Sequence, residues 1–130
     1  MTIVVAYSAD KYGEAALEHG AAEAARGQDK LVVVNVTKGD AYVDTRYAGE
    51  EAGAELQGRL DALEVDAELR QVMSPDVADE ILDVARSEDA RLVVVGIRRR
   101  TPLGKLVLGS VAQHVILDAE CPVLAVKPSL

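Results

Sequence analysis

The sequence predicts one α/β domain spanning residues 1–130, with an open five-stranded parallel sheet and helices on both of its faces. Short runs rich in Val and Leu alternate along the chain with amphipathic helical patterns. The chain has 130 residues, 49% of them hydrophobic, which suffices for the core of one ordinary domain. The predicted element order is βαβαβαβαβ, and right-handed crossovers then place the helices in two layers.

Four strands are predicted where the chain is apolar on both faces, because strands of a covered parallel sheet bury both sides. These runs are Ile3 to Tyr7, Leu31 to Val36, Leu92 to Val95 and Val123 to Val126. A fifth candidate, Val65 to Met73, alternates apolar and charged residues in its first half. That alternation favours an edge strand with one face in water.

Helices are predicted between these strands from apolar residues at helical spacing. The first covers Glu14 to Arg26, and the next two carry the stripes Leu56, Leu60, Leu63 and Val77, Ile81, Val84, Ala85. We expect Ser74 to cap the third helix, with Pro75 as its first residue. We expect Ser110 to cap the fourth helix, with Gln113 reaching back in a capping box. The segment from Asp40 to Gly53 is predicted either as a surface loop or as an early start of the second helix.

Charge and composition exclude broad binding to nucleic acid. The chain has 14 basic and 22 acidic residues, so its net charge of −8 repels polyanions. A local basic patch remains, since the stretch from Ala90 to Leu117 contains basic residues and no acidic one. With no Trp or Phe and all four Tyr before Ala48, the chain offers no aromatic platform for stacking bases. We expect no nucleic-acid partner.

The sequence also predicts a cytoplasmic protein without a membrane partner. Its apolar runs are far shorter than the roughly 20 residues that cross a bilayer. Its first residues lack the basic segment and cleavage site of a secretory leader. Cys121 is the only cysteine, so it forms no internal disulfide, and we interpret it as an inert core thiol.

The loop after the fourth predicted strand carries the residues best suited to binding an anion. Gly96 ends that strand, and Gly109 and Ser110 open a helix whose free N–H groups and positive dipole end point outward. With Arg98 and its basic neighbours, these donors form a candidate phosphate cradle that needs no metal. The alternative is structural: a tight turn at Gly96, a capping serine at Ser110 and solvated arginines.

Several segments resemble the universal stress protein (UspA) family. The closest matches are LVVVG from Leu92, LGSVAQHVI from Leu108 and AECPVLAVK from Ala119. The opening strand and the Ser-Pro-Asp helix start also match, so the resemblance covers nearly the whole chain. Nucleotide-binding members carry a motif in which Gly-x-x-Gly is followed, after nine further residues, by Gly-Ser. Here that motif reads Gly96-x-x-Arg99, nine residues, Gly109-Ser110.

The resemblance implies a Rossmann-like sheet of the adenine nucleotide alpha hydrolase type, with strand order 3-2-1-4-5. It also implies an adenine nucleotide, ATP above all, across the ends of the first and fourth strands, with no required metal. Val36 and Val95 would flank the adenine. The implied nucleotide-binding residues are Ala6, Ser8, Val36, Val95, Gly96, Arg98, Arg99, Gly109, Ser110 and Val111. Two of these depart from the family pattern. Arg99 replaces a glycine, and Ser8 stands where nucleotide-binding relatives usually have an Asp. The nearest aspartate in this chain, Asp10, comes two residues later.

The residues indicate binding rather than catalysis. The sequence has no Gly-x-x-x-x-Gly-Lys-Ser/Thr motif and no metal-ligand spacing, and we expect His19 and His114 to be surface residues. The leading hypothesis is a non-enzymatic homodimer that binds an adenine nucleotide. The alternative is a regulatory homodimer that binds no nucleotide and acts through protein contacts. A third hypothesis is slow ATP hydrolysis or autophosphorylation at Ser110. By resemblance, the dimer would pair the last strand with its twofold mate through Val123, Leu124, Ala125 and Val126.

Overall fold

Strands and helices alternate along the chain in the computed structural model, which describes residues 1–37, 49–98 and 108–129. The elements are β1 (Thr2–Ala6), α1 (Lys11–Gly27), β2 (Lys30–Thr37), α2 (Glu50–Asp61), β3 (Ala67–Met73), α3 (Val77–Ser87), β4 (Ala90–Gly96), α4 (Ser110–Asp118) and β5 (Val123–Val126).

The five strands form one parallel sheet in the order β3-β2-β1-β4-β5. This confirms the predicted fold class and strand order. The central strand β1 leads through α1 to one side of the sheet, and the chain later returns through α3 to its other side. The strand order therefore reverses between β1 and β4, which is where open α/β sheets place their ligand sites.

Two apolar layers cover the sheet because successive side chains of a strand point to opposite faces. Val4 and Val93 lie in the layer beneath α3 and α4, and both are fully buried. Ile3 and Val94 lie in the opposite layer beneath α1 and α2, where Leu60 of α2 is 1% exposed. The runs in β1, β2 and β4 are thus buried on both faces, as predicted. The run in β5 is not, because only Val126 is buried there and Ala125 is exposed.

The first helix begins earlier than its apolar pattern indicates. Asp10 is the N-cap of α1, and its Oδ1 accepts hydrogen bonds from the backbone N–H groups of Tyr12 and Gly13 at 3.1 and 2.9 Å. This carboxylate extends the helix to Lys11, one turn before the predicted start at Glu14. The weak strand also begins later than predicted, at Ala67, and lies at an edge of the sheet as expected.

Both predicted caps of the later helices are wrong. Asp76, not Ser74, caps α3 by accepting a hydrogen bond from the N–H of Asp79 at 3.0 Å. The Ser74 hydroxyl instead contacts the backbone of Asp76, so Pro75 lies before the helix. In α4 the N-cap is Gly109, in an extended conformation and without a side-chain cap hydrogen bond. Ser110 is the first helical residue, so the expected capping box with Gln113 does not form.

The segment from Asp40 to Gly53, predicted as a loop or as an early start of the second helix, is described only at its end. The residues from Asp40 to Ala48 lie outside the described ranges, and α2 begins at Glu50 after an N-cap at Gly49. The last residues of that segment are therefore helical, which agrees with an early start of the second helix. Across the described ranges, every helix is too short or too polar to cross a bilayer.

Candidate functional site

A cleft of about 210 Å³ opens at the carboxyl ends of β1 and β4. The ends of β1, β2 and β4 form its floor, and the first turns of α1 and α4 form two of its walls. The third wall comes from Val77 and Ile81 of α3. The cleft therefore lies at the point where the strand order reverses.

The predicted site residues meet in this cleft wherever the structure describes them. Arg99 lies outside the described residues. The remaining predicted residues all line the cleft: Ala6, Ser8, Val36, Val95, Gly96, Arg98, Gly109, Ser110 and Val111. They come from four separate parts of the chain, and the parallel topology brings them together because it places the carboxyl ends of the strands at one edge.

Asp10 is a lining residue that the sequence-derived list omits. Its Oδ1 accepts a hydrogen bond from the Ser8 hydroxyl at 2.7 Å, and the Asp10 backbone N–H donates to the Ser8 carbonyl at 2.8 Å. The turn between β1 and α1 thus directs the carboxylate back toward the strand end. The same oxygen caps α1, where the positive end of the helix dipole favours a negative charge.

Two glycines shape the cleft in different ways. A Cβ on Gly96 would lie 2.3 Å from the carbonyl oxygen of Tyr12, so Gly96 lets the first turn of α1 pack against the end of β4. A Cβ on Gly109 would meet no atom of the described residues within 4 Å. Gly109 lies at the cleft beside the N–H groups that begin α4, and such groups bind anions.

A buried polar side chain lies between the apolar floor residues. Asn35 is 1% exposed, and its Nδ2 donates a hydrogen bond to the Tyr7 carbonyl at 3.1 Å. Its Oδ1 accepts a hydrogen bond from Gln71 Nε2 at 3.3 Å. Asn35 thus ties the end of β1 to β2 and β3 beside the cleft. The sequence could have revealed it as the one polar residue inside an otherwise apolar run.

Tyr7 connects the cleft to α2 through a chain of hydrogen bonds. Its hydroxyl donates to Glu14 Oε1 at 2.8 Å, and Arg59 of α2 donates to both oxygens of that carboxylate at 3.1 and 2.8 Å. Burial and the neighbouring Glu14 raise the pKa of Tyr7 to about 12. The Arg59 guanidinium lowers the pKa of Glu14. Tyr7 therefore stays protonated and holds a fixed orientation in the wall of the cleft.

The structure also brings together three side chains of metal-ligating type that spacing in the sequence did not reveal. Asp76 and Asp79 at the start of α3 lie beside His114 of α4, because the two helices pack against each other. His114 is partly exposed at the surface, as predicted, and His19 is exposed on α1. Sequence spacing within one helix could not show a cluster shared by two helices.

Comparisons with known proteins agree on one family. A family model described as the universal stress protein family matches residues 1–127. A universal stress protein of Mycolicibacterium smegmatis is 50% identical over 126 residues, which is 97% of each chain.

Two solved structures of universal stress proteins contain nucleotides. One, from Archaeoglobus fulgidus in complex with dAMP, is 25% identical and has a TM-score of 0.65, with 97% of this chain and 96% of that chain covered. Another, in complex with cAMP, is 28% identical and has a TM-score of 0.67, with 99% and 98% covered. Together with the match of the family model to residues 1–127, the 50% identical relative shows that this chain belongs to the universal stress protein family.

Proposed function

We propose that this chain is a single cytoplasmic domain that binds an adenine nucleotide, ATP in the first place, and performs no chemistry on it. The supporting observation is the convergence of three kinds of group in one cleft: the open start of α4, the basic side chain of Arg98 and the carboxylate of Asp10. The dAMP and cAMP in the two solved relatives support adenine nucleotides as the ligand class.

The phosphates would lie at the start of α4. The space in front of Gly109 allows an oxygen to approach the N–H groups of the first turn, and the helix dipole favours an anion there. Ser110 adds a hydroxyl at the same position, and the exposed Arg98 adds a positive charge across the cleft. These groups neutralise phosphate without a metal ion.

The nucleoside would lie across the strand ends. Val36 and Val95 are 6% and 2% exposed, and they offer apolar surface to the faces of a base. Ser8 and Asp10 lie at the end of β1, where a carboxylate can accept hydrogen bonds from ribose hydroxyls. In this proposal Asp10 supplies the acidic group that Ser8 does not.

Binding without turnover fits the surroundings of Ser110. Among the residues that the structure describes, its hydroxyl has no carboxylate or imidazole as a hydrogen-bond partner, and a general base of that kind would be needed to activate it. Phosphate release or phosphate incorporation at Ser110 above the background of the nucleotide alone would contradict a purely binding role.

The first test is to release and identify any nucleotide that copurifies, followed by calorimetric titration with ATP, AMP and cAMP. We expect a single site, and we expect Arg98→Gln to weaken ATP binding by about tenfold because a charge-assisted contact is lost. Arg26→Gln is the matched control: it removes the same charge from the exposed end of α1. An empty protein without titration heat at millimolar ligand would refute the proposal.

We propose second that two copies pair through β5, since β5 is an edge strand of the described sheet. Val93 N–H donates to the Pro122 carbonyl and Ile97 N–H donates to the Val126 carbonyl, so alternate residues of β5 face β4. The backbone groups of Val123 and Ala125 then face outward. Such an open edge favours pairing with another strand.

The exposed Ala125 allows a clean test of this interface. We expect Ala125→Lys to convert dimers into monomers in sedimentation velocity, because an edge lysine discourages strand pairing. Ala125→Thr is the matched control, since threonine favours strands and should leave the dimer intact. A lysine variant that remains dimeric would place the interface elsewhere.

A further inference from the structure

A compact group of metal-binding side chains lies on the surface formed by α3 and α4, outside the cleft lining. Asp76 caps α3, Asp79 lies in its first turn, and His114 comes from α4. Each residue offers one potential ligand atom, and these three atoms all lie within 4.8 Å of one another. Metal–ligand bonds of about 2 Å place neighbouring donors about 3 to 4 Å apart, so small side-chain rotations would bring these three donors around one small cation.

Within residues 1–37, 49–98 and 108–129, His114 is the one basic side chain that forms an ion pair with this group. His114 Nε2 lies 3.3 Å from Asp79 Oδ1 and 2.9 Å from Asp118 Oδ2. Even a protonated imidazole would neutralise only part of the charge of the carboxylates around it. Among the described residues, no Lys or Arg forms an ion pair with Asp76, Asp79 or Asp118. A divalent cation would supply the missing positive charge.

We propose that Asp76, Asp79 and His114 form a binding site for a divalent first-row transition-metal ion such as Zn²⁺, independent of the nucleotide cleft. The donor set selects this class of ion, because imidazole nitrogen suits zinc and its neighbours whereas Ca²⁺ and Mg²⁺ prefer oxygen ligands alone. Water completes the coordination, since the two carboxylates lie at the surface. Asp118 Oδ2 lies 2.9 Å from His114 Nε2, so a third carboxylate would lie beside the bound ion and favour its positive charge.

The site would join two walls of the cleft. Asp76 directly precedes the cleft residue Val77, and His114 lies two residues after the cleft residue Ala112. A metal ion bound to both α3 and α4 would therefore hold these helices together and stabilise the folded state. The melting temperature is therefore a second measurement of this site, separate from metal binding itself.

The test uses the untagged full chain, stripped of metal with a chelator and titrated calorimetrically with Zn²⁺, then with Mg²⁺ and Ca²⁺. We expect one Zn²⁺ per chain with micromolar affinity and no heat from Mg²⁺ or Ca²⁺. His114→Gln and Asp79→Asn should each weaken Zn²⁺ binding by about tenfold or more, since each removes a ligand. Zn²⁺ should raise the melting temperature of the parent protein and not that of His114→Gln.

Matched controls separate this site from general zinc binding. His19→Gln removes an exposed histidine on α1, and Asp83→Asn removes an exposed carboxylate on α3, so both should keep the parent affinity. Equal affinity in the parent and in both ligand variants would overturn the proposal. Binding lost only in Cys121→Ser would overturn it as well. The folding of each metal-free variant is checked by its urea midpoint.

Discussion

The Ser8 hydroxyl donates a 2.7 Å hydrogen bond to Asp10 Oδ1, and this contact holds a carboxylate at the end of β1. The same oxygen accepts the N–H groups of Tyr12 and Gly13, so it accepts three hydrogen bonds in all. Such a carboxylate is fixed in position before any ligand arrives, which lowers the entropy lost on binding. The pair Ser8 and Asp10 thus provides a preorganised acidic group in the cleft.

The role of Asp10 as a cap can be separated from its role in the cleft. Asp10→Ser keeps a capping hydroxyl and removes the carboxylate, so we expect the free energy of unfolding to change by less than about 1 kcal/mol. We expect the affinity for ATP to fall by about tenfold in the same variant, because the ribose contact is lost. Urea unfolding and calorimetric titration measure the two effects.

Asp10→Ala is the companion variant, and it should lose both the cap and the affinity. The loss of the cap costs about 1 kcal/mol. If Asp10→Ser bound ATP as tightly as the parent protein, Asp10 would be a structural residue alone, and the ribose contact would have to come from another side chain.

Gly96 and Gly109 should respond differently to the same substitution. Gly96→Ala places a Cβ 2.3 Å from the backbone oxygen of Tyr12, so we expect a loss of about 1–3 kcal/mol in the free energy of unfolding. Gly109→Ala meets no described atom within 4 Å, so we expect a loss below about 1 kcal/mol, from the poorer N-cap alone. Urea unfolding of both variants checks this order, and a reversed order would contradict the packing at Gly96.

The sequence predicted the sheet well because a strand buried on both faces is a continuous apolar run. In β2, for example, all residues after Lys30 are buried. It predicted helix caps poorly because capping depends on local geometry. Ser74 and Asp76 are both good caps by type, and the sequence does not show that the helix begins only at Val77, directly after Asp76.

The residues that sequence reasoning missed make their contacts with elements that are not adjacent to them in sequence. Asp10 enters the cleft through a turn that Ser8 closes, and Asn35 lines the cleft where its side chain donates a hydrogen bond to the end of β1. His114 meets Asp79 through the packing of two helices that are distant in sequence. Spacing within one element carries no information about such contacts.

The buried carboxylate of Asp29 should control stability in acid. Asp29 is 5% exposed, and Arg91 Nε and Nη2 donate to its Oδ2 at 3.0 and 2.7 Å. This guanidinium lowers the pKa of Asp29 in the folded state. Its contribution to stability is therefore present above the ordinary carboxyl pKa of about 4 and is lost as the pH falls through the lowered value.

We expect Arg91→Gln to lower the urea midpoint clearly at neutral pH, because the buried carboxylate loses its guanidinium and keeps only the Met1 amino group, 3.4 Å from its Oδ1. The difference from the parent protein should shrink below about pH 4, where Asp29 of the variant becomes protonated. Arg86→Gln is the control, since Arg86 pairs with Asp83 at the surface and should contribute little at any pH. A difference that stayed constant down to acid pH would show that Arg91 acts through packing and not through the charge of Asp29.

The Tyr7 hydroxyl should make its contribution only while it keeps its proton. Tyr7→Phe removes the hydrogen bond to Glu14, so we expect a loss of about 1 kcal/mol in the free energy of unfolding near neutral pH. The folded-state pKa of about 12 lies above the ordinary tyrosine value of about 10, so the unfolded chain releases this proton first. The stabilisation is therefore full below about pH 10 and is lost as the pH rises toward the folded-state pKa.

Urea unfolding at about pH 8 and about pH 11 tests this relationship, because other tyrosines and lysines titrate equally in the parent protein and the variant. The gap between the two proteins should narrow at the higher pH. Tyr12→Phe removes the same atom from the first turn of α1 and should change stability little at either pH. A gap that widened above pH 10 would mean that the fold favours the phenolate, and burial and Glu14 would then not raise the pKa of Tyr7.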